Sequence, residues 1–171
     1  MIFMKIYLST GGFQNKNPTE IIRIFKKNNI SNIEISGGKF ELSFFKKIRE
    51  LYKKNDTNIM LHNYFPYYKK SFVFNLASQN KKIIKKSLNL AKNGIRINSN
   101  LNNKFYAFHA GFLFDPKINM LGDKPVPKKI INRKKALDSF IKNVKILSKY
   151  AYKKKIKLLI ENNVVSENQY L

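Results

Sequence analysis

Three apolar runs of this sequence each end in a side chain that can bind a metal ion or move a proton. The runs are residues 58–62 (NIMLH), 104–109 (KFYAFH) and 157–161 (KLLIE). Each reads as a buried β-strand, because short apolar runs bounded by polar or turn residues are typical of strands. Because the carboxyl ends of parallel strands share one edge, we expect the side chains that end these runs to converge.

The alternation of side chains along a strand predicts which way His109 faces. Phe105, Ala107 and His109 share one face, and Tyr106 and Phe108 share the other. If the Tyr/Phe pair packs on helices, His109 faces inward at the carboxyl end of its strand.

Strand and helix patterns alternate along the whole chain. Predicted strands cover residues 4–9, 32–36, 58–62, 104–109 and 156–161, and helices are predicted at about 18–28, 41–54, 78–93 and 136–150. Asn17 and Ser78 are the expected N-caps of the first and third helices, and Asn93 with Gly94 predicts the end of the third. Five strands alternating with four helices indicate a parallel α/β fold, and no glycine-rich nucleotide-binding motif follows a strand.

Composition limits the class of protein. The chain has 171 residues, is 43% hydrophobic and contains no cysteine. One domain with a substantial core fits this length. Without thiolates, imidazole, carboxylate and amide groups are the available metal ligands. No apolar segment reaches the roughly 20 residues that span a bilayer, and the first residues do not resemble a secretion signal, so a cytoplasmic protein is expected.

The charge is strongly basic, with 34 Lys+Arg against 10 Asp+Glu and a net charge of +24. Such a charge raises nucleic acid as a partner. Lys, Asn and Ile are all abundant, however, which an AT-rich coding bias produces, and the lysines fall on predicted helices with solvated outer faces. We therefore interpret most of the basic residues as solvated helix faces and not as a nucleic-acid-binding groove.

Three motifs in order give the chain a family resemblance. After His62 come residues 75–78 (NLAS), then 108–111 (FHAG), then 160–162 (IEN). In this order and spacing they resemble the xylose-isomerase-like TIM-barrel superfamily, which holds sugar isomerases and epimerases as well as the endonuclease IV type of apurinic-site nuclease (AP endonuclease family 2). The chain departs from the family at Ala110, where the family has proline.

The resemblance implies a site as well as a fold. His62 and His109 would be metal or substrate ligands, with metal binding favoured, and Glu161 would be both a metal ligand and a catalytic carboxylate. This donor set suits Zn²⁺ or Mn²⁺. Each histidine could instead have a structural role in the core. Glu161 is the strongest candidate, because a carboxylate that ends a buried strand is energetically costly unless it is paired or coordinated.

Two further polar residues are candidates for substrate binding. Glu34 points to the same interior as the three ligands, where it could bind a substrate hydroxyl or pair with a lysine. Asn162 could support the site, although a role in the turn after the strand is the simpler interpretation. Tyr64 and its aromatic neighbours could stack on a sugar ring, but loop packing is the default.

The resemblance stops after the fifth strand. A complete barrel takes roughly 250 residues, so residues 1–171 are expected to form the amino-terminal portion of a partial TIM (β/α)8 barrel. The family's later ligands, an Asp, a His and a final Glu, have no counterpart in the sequence. Unpaired edges on the first and fifth strands would invite self-association.

The expected function is that of a divalent-metal-dependent sugar (phosphate) isomerase or epimerase, incomplete and weakly active alone. Its partner would be a small sugar substrate, and no interaction with a membrane is expected. The alternatives are an apurinic-site DNA endonuclease and a degenerate, non-catalytic barrel fragment.

Overall fold

The structure is a computed structural model that describes residues 5–13, 15–37, 39, 43–53, 57–65, 72–118 and 130–162. Within these ranges the strands are β1 (Leu8–Ser9), β2 (Asn32–Ile35), β3 (Asn58–Leu61), β4 (Phe105–His109) and β5 (Lys157–Glu161). The α-helices are α1 (Pro18–Lys27), α2 (Phe44–Lys53), α3 (Lys81–Asn100) and α4 (Arg133–Lys153), and a 3-10 turn (Thr10–Gly12) follows β1. The first strand is shorter than predicted, because the described residues 5–7 are not in a strand. Met4, the predicted start of the second helix at Glu41, and Tyr67 and Tyr68 of the aromatic loop after His62 lie outside the described residues.

The strands are parallel and stand side by side in chain order. One sheet has the order β1-β2-β3 and the other pairs β4 with β5. A single parallel bridge between His62 and Ala107 joins the two sheets, supported by the Asn63 N–H, which donates to the Ala107 carbonyl over 3.1 Å. The described strands therefore form one continuous arc with all carboxyl ends at the same edge, as the alternating sequence pattern predicts.

The core lies between the arc and the helices that follow its strands. Tyr106 and Phe108 are fully buried in one cluster, which confirms the predicted orientation of β4. Residues from α3 and α4 pack in the same cluster: Leu90, Ala91, Ile95, Leu147 and Ala151. A second cluster fills the space between β2, β3 and the first two helices, and it includes Ile21, Phe25, Ile33, Ile48 and Leu61.

Helix α1 begins as its sequence predicts. The Asn17 side chain accepts a hydrogen bond from the Glu20 N–H, while the Glu20 carboxylate accepts one from the Asn17 N–H. This reciprocal capping satisfies two donors that the first turn leaves unpaired, and Pro18 fits the first helical position. The helix ends before Asn29, which adopts a left-handed φ of 59°.

Helix α3 differs from the prediction at both ends. Its N-cap is Asn80, not Ser78, and it continues through Gly94 to Asn100. Ser78 donates its hydroxyl hydrogen bond to Asp115 instead. Gly94 reflects tertiary packing rather than a helix end, because a Cβ there would lie 2.5 Å from Tyr106 Cε2. The cost of a glycine inside a helix, about 1 kcal/mol, does not end a helix that packs on the sheet.

Strand β5 is more exposed than the sequence suggests. Leu159 is 43% exposed and Ile160 52% exposed, although the run KLLIE predicts a buried strand. The reason is that β5 pairs only with β4 among the described strands, so one of its sides has no neighbour. Leu8 on β1, at the other end of the arc, is also exposed. Among the described helices, none is long and apolar enough to cross a membrane.

Replacing Gly94 with alanine tests the packing of α3 on β4. Gly→Ala inside a helix usually stabilises, but here the added methyl meets the buried Tyr106 ring. We expect the free energy of unfolding to fall by about 1–3 kcal/mol, the usual cost of overpacking, when measured by urea denaturation. Asn89→Ala on the exposed side of the same helix is the control and should change stability by less than about 0.5 kcal/mol. A stabilised Gly94→Ala variant would contradict this packing.

Candidate metal centre

The structure brings together the three side chains that end the apolar runs. His62 follows β3, and His109 and Glu161 are the last residues of β4 and β5. One ligand atom from each residue can be chosen so that all three atoms lie within 4.8 Å of one another. The backbone fixes this arrangement, because His62 bridges to Ala107 and His109 pairs in register with Glu161.

The distances fit one small cation. His62 Nδ1 lies 3.4 Å from Glu161 Oε1, and His109 Nε2 lies 3.7 Å from Glu161 Oε2. Two ligands bound at about 2.1 Å to a tetrahedral zinc ion are about 3.4 Å apart. Two imidazole nitrogens and a carboxylate therefore stand close to the spacing that such an ion requires.

A buried nitrogen also points to a missing partner. His62 is 5% exposed, and its Nδ1 has no hydrogen-bond partner among the described residues. Leaving such an atom unsatisfied costs about 1–3 kcal/mol. A cation between His62 and Glu161 would satisfy this nitrogen, so the residues present fit a divalent metal.

The two candidate substrate-binding residues have different positions. Glu34 is mostly buried, and its Oε2 lies 3.8 Å from His62 Nδ1, so it lies beside this candidate ligand, as the alternation along β2 predicts. Asn162 is exposed, and among the described residues no hydrogen bond joins its side chain to the cluster. Glu161 itself is 47% exposed at its side chain. The expectation that a buried strand would enclose Glu161 is therefore wrong, because β5 is an edge of the arc.

The electrostatics keep His109 neutral near pH 7. Burial lowers the pKa of His109, and the nearby His62 lowers it further, while Glu161 acts in the opposite direction. Since the ordinary pKa of histidine is about 6.5, the imidazole is deprotonated at neutral pH, the form that binds a metal ion. The His62 and His109 rings meet edge to face, with centroids 5.0 Å apart.

Tyr64 is a neighbour of the site whose role the sequence does not reveal. Its ring stands edge-on to His109 with centroids 6.0 Å apart, and burial raises the pKa of its hydroxyl. The sequence offers only an aromatic-rich loop after His62, in which packing is the default interpretation. Its position two residues beyond a candidate ligand was the one available signal.

Comparison with known proteins identifies the family. Residues 17–165 match the family model described as xylose isomerase-like TIM barrel. The chain therefore belongs to the xylose isomerase-like TIM-barrel family. The match confirms the resemblance carried by the NLAS, FHAG and IEN motifs. The sequence has no significant match among the curated proteins.

Solved structures support the same fold. A D-tagatose 3-epimerase-like protein aligns with a TM-score of 0.71 at 18% identity, over 96% of this chain and 55% of its own. The IOLI protein with a bound zinc atom aligns with a TM-score of 0.61 at 14% identity, over 93% and 51%. A xylose isomerase-like TIM-barrel protein from Mycobacterium smegmatis in complex with magnesium aligns with a TM-score of 0.62 at 12% identity, over 96% and 58%.

This chain spans a little over half the length of these structures. The likeness confirms the fold class as a partial TIM barrel, with five strands and four helices and no closed barrel among the described residues.

A pH titration of His109 checks the electrostatics of the site. We expect the imidazole ¹H NMR signal of His109 to titrate below pH 6.5, because burial disfavours the charged ring. Glu161→Gln should lower this pKa further, since it removes the carboxylate that favours the cation. Asp138→Asn, on the exposed surface of α4, is the control and should leave the pKa unchanged. A rise of the pKa in Glu161→Gln would contradict the proximity of the two groups.

Proposed function

We propose that this chain carries the metal centre of a sugar isomerase or epimerase, with Zn²⁺ or Mn²⁺ bound by His62, His109 and Glu161. The observation that carries the proposal is the convergence of these ligand atoms within 4.8 Å at the carboxyl edge of the strands. Family membership supports it, as do structural neighbours described as an epimerase-like protein and as zinc-bound and magnesium-bound proteins. The substrate would be a small sugar, phosphorylated or not.

When bound, the cation would polarise a ketose carbonyl and its neighbouring hydroxyl, which makes the adjacent carbon-bound proton easier to remove. Glu161 is the group that would move this proton. Its carboxylate side chain is 47% exposed, so a substrate could reach it. Glu34 and Asn162 would bind substrate hydroxyls, and the neutral His109 would hold the cation without charge repulsion.

The site proposed here is part of a larger one. The described strands number five, whereas a complete barrel of this fold has eight. We propose that residues 1–171 are the amino-terminal portion of such a barrel. Further ligands and a second carboxylate would then come from units beyond β5, and this chain alone would turn over substrate poorly. Its open edges, β1 and β5, would associate with other copies of the chain.

Metal binding and turnover test the proposal. The chain should bind one Zn²⁺ or Mn²⁺ in isothermal titration calorimetry, and His62→Ala or Glu161→Gln should weaken binding by more than about 100-fold, beyond the usual cost of an outer-shell change. Any turnover in a panel of ketoses should require added metal and be lost in Glu161→Gln. Asp138→Asn is the matched control and should behave as wild type.

Two outcomes would contradict parts of the proposal. No bound divalent ion, with Glu161→Gln indistinguishable from wild type, would favour a non-catalytic barrel fragment. Robust turnover by the 171-residue chain alone would refute its incompleteness.

The exposed edge of β5 gives a separate prediction. Ile160→Lys places a charge on this edge, which should suppress self-association in sedimentation-velocity experiments over a range of concentrations. Ile141→Lys on α4 removes an isoleucine of similar exposure, 43% against 52%, away from the strand edges. It should leave association unchanged. Equal effects of the two variants would contradict association through β5.

An apurinic-site endonuclease is the second candidate function. Two features favour it: a site with two histidines and one carboxylate, suited to zinc, and the net charge of +24. Incision of an abasic duplex that depends on zinc and falls steeply with salt would support it. Ketose turnover without incision would exclude it.

A further inference from the structure

A buried amide holds the loop that follows His109. The main chain of residues 110–115 passes against residues 75–78, and Asn75, Ser78 and Asp115 connect the two segments by hydrogen bonds. We call these three side chains the Asn75 clasp. Asp115 of the clasp lies on the loop that follows the candidate ligand His109. The clasp itself contains none of the candidate metal ligands.

The Asn75 side chain uses both of its polar atoms. Its Nδ2 donates to the Phe114 carbonyl and to Asp115 Oδ1, each over 2.9 Å, and to the Phe112 carbonyl over 3.3 Å. Its Oδ1 accepts from the N–H groups of Ala77 and Phe112, each over 3.0 Å. The side chain is fully buried. This pattern needs a donor and an acceptor on one short side chain, which asparagine provides and aspartate does not.

The clasp is anchored to two helices. The Asn75 N–H donates to Ser87 Oγ on α3 over 3.0 Å, and Asn143 Nδ2 on α4 donates to the Leu76 carbonyl over 2.8 Å. Ser78 Oγ donates to Asp115 Oδ2 over 2.8 Å and closes the clasp at the surface. The segment that holds the loop is thus fixed relative to the helix layer.

The main chain after His109 is held on both sides. On one side the Ala110 N–H donates to the Glu161 carbonyl over 2.8 Å and continues the β4–β5 ladder. On the other side Gly111 approaches the clasp so closely that a Cβ would overlap with the Ala77 Cβ and lie 2.8 Å from Asn75 Oδ1. The direction in which the chain leaves His109 is therefore set by β5 and by Asn75 together.

We propose that Asn75 is a positioning residue of the metal centre. By fixing residues 110–112, it keeps the His109 imidazole beside His62 and Glu161, although it touches neither the ligands nor a bound ion. This inference rests on the proposed metal centre. In Asn75→Asp the Oδ1 contacts can remain, but a carboxylate replaces the donor that faces two carbonyls and Asp115, so the loop should move away from residue 75.

A pair of variants separates positioning from simple stability. Asn75→Asp breaks the contacts to the loop after His109. Ser87→Ala removes the buried anchor to α3 and leaves those contacts in place. We expect Asn75→Asp to weaken Zn²⁺ binding by about 10-fold to 100-fold, the range seen for residues that orient metal ligands. Ser87→Ala should change the affinity by less than about 3-fold, even if the loss of this buried hydrogen bond lowers the stability of the fold.

A second measurement needs no metal. The chain has two histidines, so a nuclear Overhauser effect between imidazole protons reports directly on their contact. We expect this signal in the metal-free wild type and in Ser87→Ala, and its loss in Asn75→Asp. If the wild type binds no zinc, the proposed metal centre is refuted. The nuclear Overhauser effect between the two imidazoles still tests whether Asn75 positions His109.

The result that overturns the inference is equally definite. It is an Asn75→Asp variant that matches Ser87→Ala in both zinc affinity and imidazole contact. If Asn75→Asp does not fold, Asp115→Ala decides. That change removes the Asp115 end of the clasp, with its hydrogen bonds to Asn75 and Ser78, and should weaken zinc binding by about 2-fold to 10-fold, no more than the net contribution of one typical hydrogen bond. Wild-type behaviour of Asp115→Ala in both measurements would then refute the role of the clasp.

Discussion

The structure depends most on the parallel pairing that joins β3, β4 and β5. In this pairing His109 stands opposite Glu161, and His62 bridges to Ala107. Since parallel strands end at one edge of a sheet, the register itself brings the three polar side chains together. A slip of one residue in β5 would turn Glu161 to the helix side and remove the carboxylate from the site.

Local chemistry explains what the sequence predicts correctly. The alternation in β4 predicted that Tyr106 and Phe108 pack on the helices, and both are fully buried there. The N-cap of α1 is predictable from the sequence because its hydrogen bonds join only Asn17 and Glu20, which are three residues apart. Gly94 was misread as a helix end because its reason is distant in sequence: the ring of Tyr106 leaves no space for a Cβ.

In the candidate site, too, local patterns predict some features, while others depend on residues that are distant in sequence. Strand ends identified His62, His109 and Glu161, which the structure brings together, and the alternation within the second strand identified Glu34, which lies beside His62. The exposure of Glu161 depends on whether β5 has a neighbour, which is a property of the sheet and not of the run KLLIE. The contacts of Asn75 with Asp115 cross 40 positions of the chain, so no local pattern could reveal them. The NLAS motif marked the position of this asparagine but not its role.

X-ray absorption at the zinc edge tests the central claim most directly, because it reports the ligands of a bound ion. In the zinc-loaded chain we predict nitrogen and oxygen neighbours at about 2.0–2.1 Å and the outer-shell scattering of two imidazole rings. One ring should disappear in His109→Ala. A first shell of water oxygens, or a spectrum that His109→Ala leaves unchanged, would contradict a metal centre formed by these three strand ends.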